Sequence, residues 1–192
     1  MNAPLGPHVF VHALPVRSTL DDLVVSKRSL GRLGGIVGAA MDRRKATIDG
    51  KSRAGPDTGL VAIFHGPSVS DKALAAEAIA GTLQAPLYRI DSGRVIGKYI
   101  GETEKNLAAI FDEAERRGAV LLFEEAEALF GKRSEVKDAH DRYANIEIDY
   151  LLQKIDAHEG VVILVTSRKQ AIDEAFLRRM RFTAAFPFPG AG

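Results

Sequence analysis

The chain is expected to fold as an α/β protein in three layers, α/β/α, around a parallel sheet of five strands. Three observations carry that expectation. Short apolar runs alternate along the chain with segments of helical period. The runs at 119–123 and 161–165 are apolar at every position, which suits strands covered on both faces. Four polar residues, Lys72, Glu124, Glu125 and Ser167, fall just past the ends of expected strands. That is the edge at which parallel sheets hold their ligands.

Taken in order, residues 1–17 hold three prolines and no clear period, and read as an extended N-terminal arm. Residues 18–58 read as a helical segment and linker. Ser18 with Asp21 three residues on resembles a helix start. Residues 28–46 have helical character, weakened by Gly31, Gly34, Gly35 and Gly38. The polar, Gly-containing stretch Asp49–Thr58 then leads into the main unit, 59–189. Its first strand covers 60–65 and is followed at once by an alanine-rich helix. A short strand spans Pro86–Asp91, a loop Ser92–Gly101, and a helix Thr103–Arg117 with Leu107, Ile110, Phe111 and Ala114 on one face. The apolar strand at 119–123 ends in Glu124-Glu125. A polar loop, Gly131–Arg142, precedes a helix with Ile148, Leu151, Leu152 and Ile155 on one face. The strand at 161–165 ends in Thr166-Ser167-Arg168. A short helix and a last strand, running into Phe186-Pro187-Phe188-Pro189, close the unit.

Composition sets outer bounds. With 192 residues, 46% hydrophobic and 27% charged, the chain has ordinary globular make-up and length for one sizeable core. A net charge of +1 makes no electrostatic case for nucleic acid or an anionic membrane. No apolar run approaches the length of a membrane span, and the N-terminus lacks the basic and apolar regions of a signal peptide. The absence of Cys excludes disulfides and thiolate chemistry, and a reducing cytoplasm fits it.

The stretch Gly59–Gly81 has the layout of a phosphate-binding loop. A strand delivers a tight turn, and a helix N-terminus aims unpaired N–H groups at an anion. The pattern G-x-x-x-x-G-K-[ST] is met only in part: Gly66 and Lys72 stand, whereas Asp71 and Ala73 replace the second Gly and the hydroxyl. A carboxylate at about 4 Å from a bound phosphate would repel it by roughly 4 kcal/mol at intermediate dielectric. Ala73 has no oxygen to offer Mg²⁺. Glu124-Glu125 also suit a helix start, Tyr99 also suits a surface or core aromatic, and the arginines after Leu177 also suit a solvated helix face.

Four further segments carry a family resemblance. Gly101–Asn106 (GETEKN), Leu121–Glu135 (LLFEEAEALFGKRSE), Ala175–Phe182 (AFLRRMRF) and the closing FPFP together resemble the AAA branch of the AAA+ ATPases, over about residues 17–189. The resemblance implies a P-loop NTPase-like fold and Mg²⁺-ATP as cofactor. It places Gly66 and Lys72 in the Walker A loop. Glu125 matches the Walker B carboxylate that activates water, Glu124 the Mg²⁺-holding Asp, and Ser167 the sensor Asn. Arg178 and Arg181 match arginine fingers that reach into a neighbouring subunit, and Lys98-Tyr99-Ile100-Gly101 the pore loop that grips a threaded polypeptide. Four substitutions, at Asp71, Ala73, Glu124 and Ser167, all serve one Mg²⁺-nucleotide and point to a site no longer used for hydrolysis. The family's helical lid, which follows FPFP, is not expected in a chain of this length. The resulting expectation is a pseudo-ATPase that acts as scaffold or regulatory subunit beside other AAA+ subunits. Its rivals are a working ATPase that remodels polypeptide clients and a structural part of a phage-tail-like particle.

Overall fold

The computed structural model describes residues 10–50, 59–132 and 149–187. In chain order it contains β1 (Val11–Leu14), α1 (Lys27–Ile48), β2 (Leu60–His65), α2 (Val69–Thr82), β3 (Leu87–Asp91), α3 (Ser92–Val95) and α4 (Glu102–Arg117). These are followed by β4 (Val120–Glu124), α5 (Glu127–Phe130), α6 (149–157), β5 (Val161–Thr166), α7 (Glu174–Leu177) and β6 (Phe182–Ala185). The six strands form one sheet in the order β1-β3-β4-β5-β2-β6.

The five parallel strands expected from the sequence are all present. A sixth was not foreseen. Val11–Leu14, inside the stretch read as an extended arm, pairs antiparallel with β3, Val11 opposite Ile90 and Leu14 opposite Leu87. Four residues are too few to show a period of two. Phe10 and Val11 are nevertheless buried, and the next residues are tied down as the Arg17 and Ser18 N–H groups donate to Glu77 Oε1 at 2.8 and 3.1 Å.

Side-chain alternation along the strands builds the layers. Val61, Ile63, Leu121, Phe123, Val162 and Leu164 face Leu107, Ile110, Phe111 and Ala114 of α4 and Leu151, Leu152 and Ile155 of α6. Their neighbours Leu60, Ala62, Phe64, Leu122, Ile163 and Val165 face Leu33, Ile36 and Val37 of α1 and Ala75, Ala76 and Ile79 of α2. A strand buried on both faces must be apolar at consecutive positions, and β4 and β5 are.

Local differences from expectation have simple causes. The helix start read at Ser18 is a single 3-10 turn, Leu20–Asp22, fastened by Thr19 N–H to Asp22 Oδ2 at 2.7 Å. Within the expected loop 92–101, Ser92–Val95 is helical, because the Asp91 carboxylate accepts from Arg94 N–H at 3.3 Å. Helix α1 runs through its glycines, held by Leu33, Ile36 and Val37 against the sheet. Most of the polar loop Gly131–Arg142, with Ile148, Phe188 and Pro189, lies outside the described residues.

Candidate functional site

The site begins where β2 ends. Gly66 has φ +121°, and a Cβ there would stand 2.3 Å from the Phe186 carbonyl oxygen, so only glycine fits. The strand end after β6 closes over this turn: Phe186 N–H donates to His65 O at 2.8 Å, and Ser68 N–H to Phe186 O at 3.4 Å. Ser68 then caps α2. Its Oγ accepts from Asp71 N–H at 3.4 Å and donates to Asp71 Oδ2 at 2.6 Å. The helix therefore starts at Val69, and only residues 66–68 separate it from β2.

Lys72 lies one turn into α2 and is 2% exposed. Its Nζ donates to Gly66 O at 2.5 Å and to Thr166 O at 3.0 Å. The ammonium thus ties the turn after β2 to the last residue of β5. Burial lowers its pKa, and the nearby Glu127 carboxylate opposes that shift. His65 beside it is also lowered, by burial first and then by Lys169, Lys72 and Arg32.

Strand β4 delivers the carboxylates. Glu124 is half-buried, with Oε2 3.8 Å from Arg89 Nε on the adjacent strand, and its carbonyl accepts from Ser92 Oγ at 2.5 Å. Glu125 has φ +47°, a conformation uncommon for a side-chain-bearing residue. The turn it makes lets Ala126 N–H donate to Val165 O at 2.9 Å and leaves Glu125 exposed. Glu127 Oε2 is buried, with no hydrogen-bond partner among the described residues. At the end of β5, Thr166 Oγ1 bridges both the N–H and the carbonyl of Arg168, at 3.1 and 3.2 Å, and Ser167 is exposed.

These groups border one cleft of about 480 Å³, lined by Lys72, Glu124, Glu125, Glu127, Thr166 and Ser167 among others. Lys72, Glu124, Glu125 and Ser167 were singled out from the sequence, and the fold brings them together. Gly66 shapes the turn after β2, Asp71 and Ala73 lie in the first turns of α2, and none of the three lines the cleft. Arg178 and Arg181 stand outside it. Both are exposed, Arg178 with Nη2 3.8 Å from Glu174 Oε2. Arg179 between them shares its Nε–H between the two carboxylate oxygens of Asp156, at 3.0 and 3.2 Å. Lys98-Tyr99-Ile100-Gly101 form a separate outward loop before α4. The Glu102 carboxylate accepts from Lys98 and Tyr99 N–H at 2.9 and 3.1 Å, and Tyr99 and Ile100 are 74% and 77% exposed.

Sequence reasoning missed Glu127 and Thr166. Glu127 was passed over as part of the Leu121–Glu135 run, although it follows Glu124 by three residues, a spacing that could have flagged it. Thr166 contributes a backbone carbonyl, which no residue type announces. Among the described residues no group of three or more His, Asp or Glu side chains is arranged to hold a metal ion.

The family described as ATPases associated with various cellular activities (AAA) matches residues 62–189, from β2 past the end of β6. The chain belongs to the AAA family. Among its relatives, the AAA family ATPase y4kL of Sinorhizobium fredii is 30% identical over 95% of this chain and 54% of its own length. ATPase family gene 2 protein of Schizosaccharomyces pombe is 35% identical over 60% of the chain and 15% of its own length. The proteasome-activating nucleotidase of Aeropyrum pernix is 31% identical over 66% and 32%. The chain therefore spans between about a seventh and about half of the length of these relatives. No helix among the described residues is long and apolar enough to cross a membrane.

Proposed function

We propose that this AAA domain is a pseudo-ATPase, serving as a scaffold or regulatory subunit beside other AAA subunits. The observation that carries the reading is Lys72. In a working phosphate loop the lysine ammonium reaches the β- and γ-phosphates. Here two of its three donors are spent on Gly66 O and Thr166 O. The anion site of the helix N-terminus is likewise used internally. Asp71 already places a carboxylate in the first turn of α2, where it meets the positive end of the helix dipole, and Ser68 satisfies its N–H. Ala73 supplies no oxygen to a metal, and Glu124 sits beside Arg89. This set of side chains does not fit Mg²⁺-nucleotide. By contrast, Arg178, Tyr99 and Ile100 point outward, where a neighbouring subunit or a polypeptide would meet them.

Calorimetric titration with Mg²⁺-ATP tests the proposal, with Lys72→Ala as the comparison. The expected outcome is no heat in either protein. Binding that Lys72→Ala removes would mean that phosphate draws the ammonium out of its carbonyl cradle, and would overturn the reading of an unused site.

A working ATPase is the second reading, and the meeting of Lys72, Glu125 and Ser167 in one cleft favours it. Steady ATP turnover abolished by Glu125→Gln would establish it. The pair Asp71→Gly with Ala73→Thr would then raise an existing rate rather than create one.

A further inference from the structure

Helix α1 covers the sheet with one side and leaves its other side open. Leu33, Ile36 and Val37 are buried against the sheet. Leu30, Met41 and Ile48, at spacings of eleven and seven residues, return to one flank of the helix and are 38%, 49% and 78% exposed. Val24 and Val25, just ahead of the helix, are exposed as well. Five of the ten large exposed apolar side chains among the described residues thus fall between positions 24 and 48, so they are gathered here rather than scattered singly over the surface.

The same helix carries six cations and a single anion, Asp42. The whole chain has a net charge of only +1, so this excess is local. Lys27, Arg28 and Lys45 are exposed, and none has a carboxylate within ion-pair distance among the described residues. Met41 and Ile48 also border a cavity of about 240 Å³. Val120 and Val161, the first residues of β4 and β5, line it, whereas the last residues of those strands line the Lys72 cleft at the opposite edge of the sheet. Glu115 and Glu159 line this cavity too, so it suits an uncharged side chain. Gly31, Gly34 and Gly38 stand bare beside this flank. A Cβ on any of them would meet nothing within 4 Å among the described residues, and none has a positive φ. Glycine inside a helix weakens it, and the packing of this chain gives no reason for these three.

We propose that the outer face of α1 docks an acidic amphipathic helix of a partner protein. The apolar side of that helix lies along Leu30, Met41 and Ile48, with one side chain entering the cavity. The bare glycines let the two backbones approach closely, and the partner's carboxylates meet Lys27, Arg28 and Lys45. Charge decides the occupant. The α1 of a second copy would set the same cations against these, and like charges across an interface repel. A nucleic acid would answer the cations and leave the exposed Leu30, Met41 and Ile48 unmatched. This face takes no part in the Lys72 cleft, so its failure and that of the pseudo-ATPase reading are independent.

The test titrates the whole chain into a fluorescein-labelled synthetic helix of about 20 residues, long enough to span most of α1, with Leu along one side and Glu on both flanks. Fluorescence anisotropy reads the binding. This peptide is expected to bind at least about tenfold more tightly than the same peptide with Lys in place of every Glu. Arg28→Glu with Lys45→Glu is expected to abolish that preference. Met41→Gln with Ile48→Gln is expected to weaken the Glu peptide by about tenfold. Gly31→Gln with Gly38→Gln separates docking from folding: it is expected to raise the melting temperature of the chain and yet weaken the peptide by about tenfold. No binding, equal binding of the two peptides, or full affinity in the glycine variant would overturn the proposal. So would tighter binding of a duplex oligonucleotide, or a dimer in sedimentation that the glycine variant dissolves.

Discussion

Lys72 and His158 are both almost completely buried, at opposite edges of the same sheet, and they are treated in opposite ways. Lys72 has two carbonyl acceptors and closes the turn after β2 onto β5. His158 has none for either nitrogen among the described residues. A buried polar group whose hydrogen bonds are complete fixes the surrounding backbone. One left incomplete weakens the fold. By that criterion the edge that carries Lys72 is the fully paired one, and the edge that carries His158 is the incompletely paired one.

The sharpest way to break the comparison is to remove the lock. Gly66→Ala forces a Cβ against the Phe186 carbonyl at a positive φ and is expected to cost about 3 kcal/mol of unfolding free energy, read by urea denaturation. Lys72→Ala leaves Gly66 O and Thr166 O unpaired and is expected to cost about 2 kcal/mol in the same assay. If Lys72→Ala were neutral or stabilising, the ammonium would not be a lock.

His158 sharpens the comparison through pH. Burial, reinforced by the Arg43 charge, lowers its pKa to about 4. The unfolded chain, titrating near 6.5, then binds more protons than the native state between those values. Stability contributed by the neutral ring is full above pH 6.5 and lost as pH falls toward 4. Between pH 7 and pH 5 the loss amounts to about 2 kcal/mol. His158→Phe is expected to abolish this part of the pH dependence. At pH 7 it is expected to stabilise the protein by about 1 kcal/mol, since two unpaired buried nitrogens disappear. A decrease in stability at pH 7 would show that the ring nitrogens have partners after all.

The smallest effects belong to neighbouring arginines at intermediate and full exposure. Arg179→Ala removes the charge-assisted Nε–H shared by the two Asp156 oxygens and is expected to cost about 1 kcal/mol. Arg178→Ala loses only the 3.8 Å pair with Glu174 and is expected to change stability by less than about 0.5 kcal/mol. Equal costs for the two would deny that completeness of pairing governs the difference.

The chain by itself determines the layered sheet. Consecutive apolar residues in β4 and β5, and the Leu107, Ile110, Phe111, Ala114 stripe of α4, are periodic signals, and periodicity is a property of neighbours in sequence. The same holds for Lys72, Glu124, Glu125 and Ser167, which come together because each stands at the end of a strand or one turn beyond it. Tertiary structure alone decided what those residues touch. Lys72 finds a carbonyl 94 positions away, and Arg43 meets His158 across 115. The pairing of β1 with β3 and the His158 nitrogens left without a partner among the described residues also arise between distant segments. Backbone carbonyls and missing partners have no residue type, so no pattern along the chain can announce them.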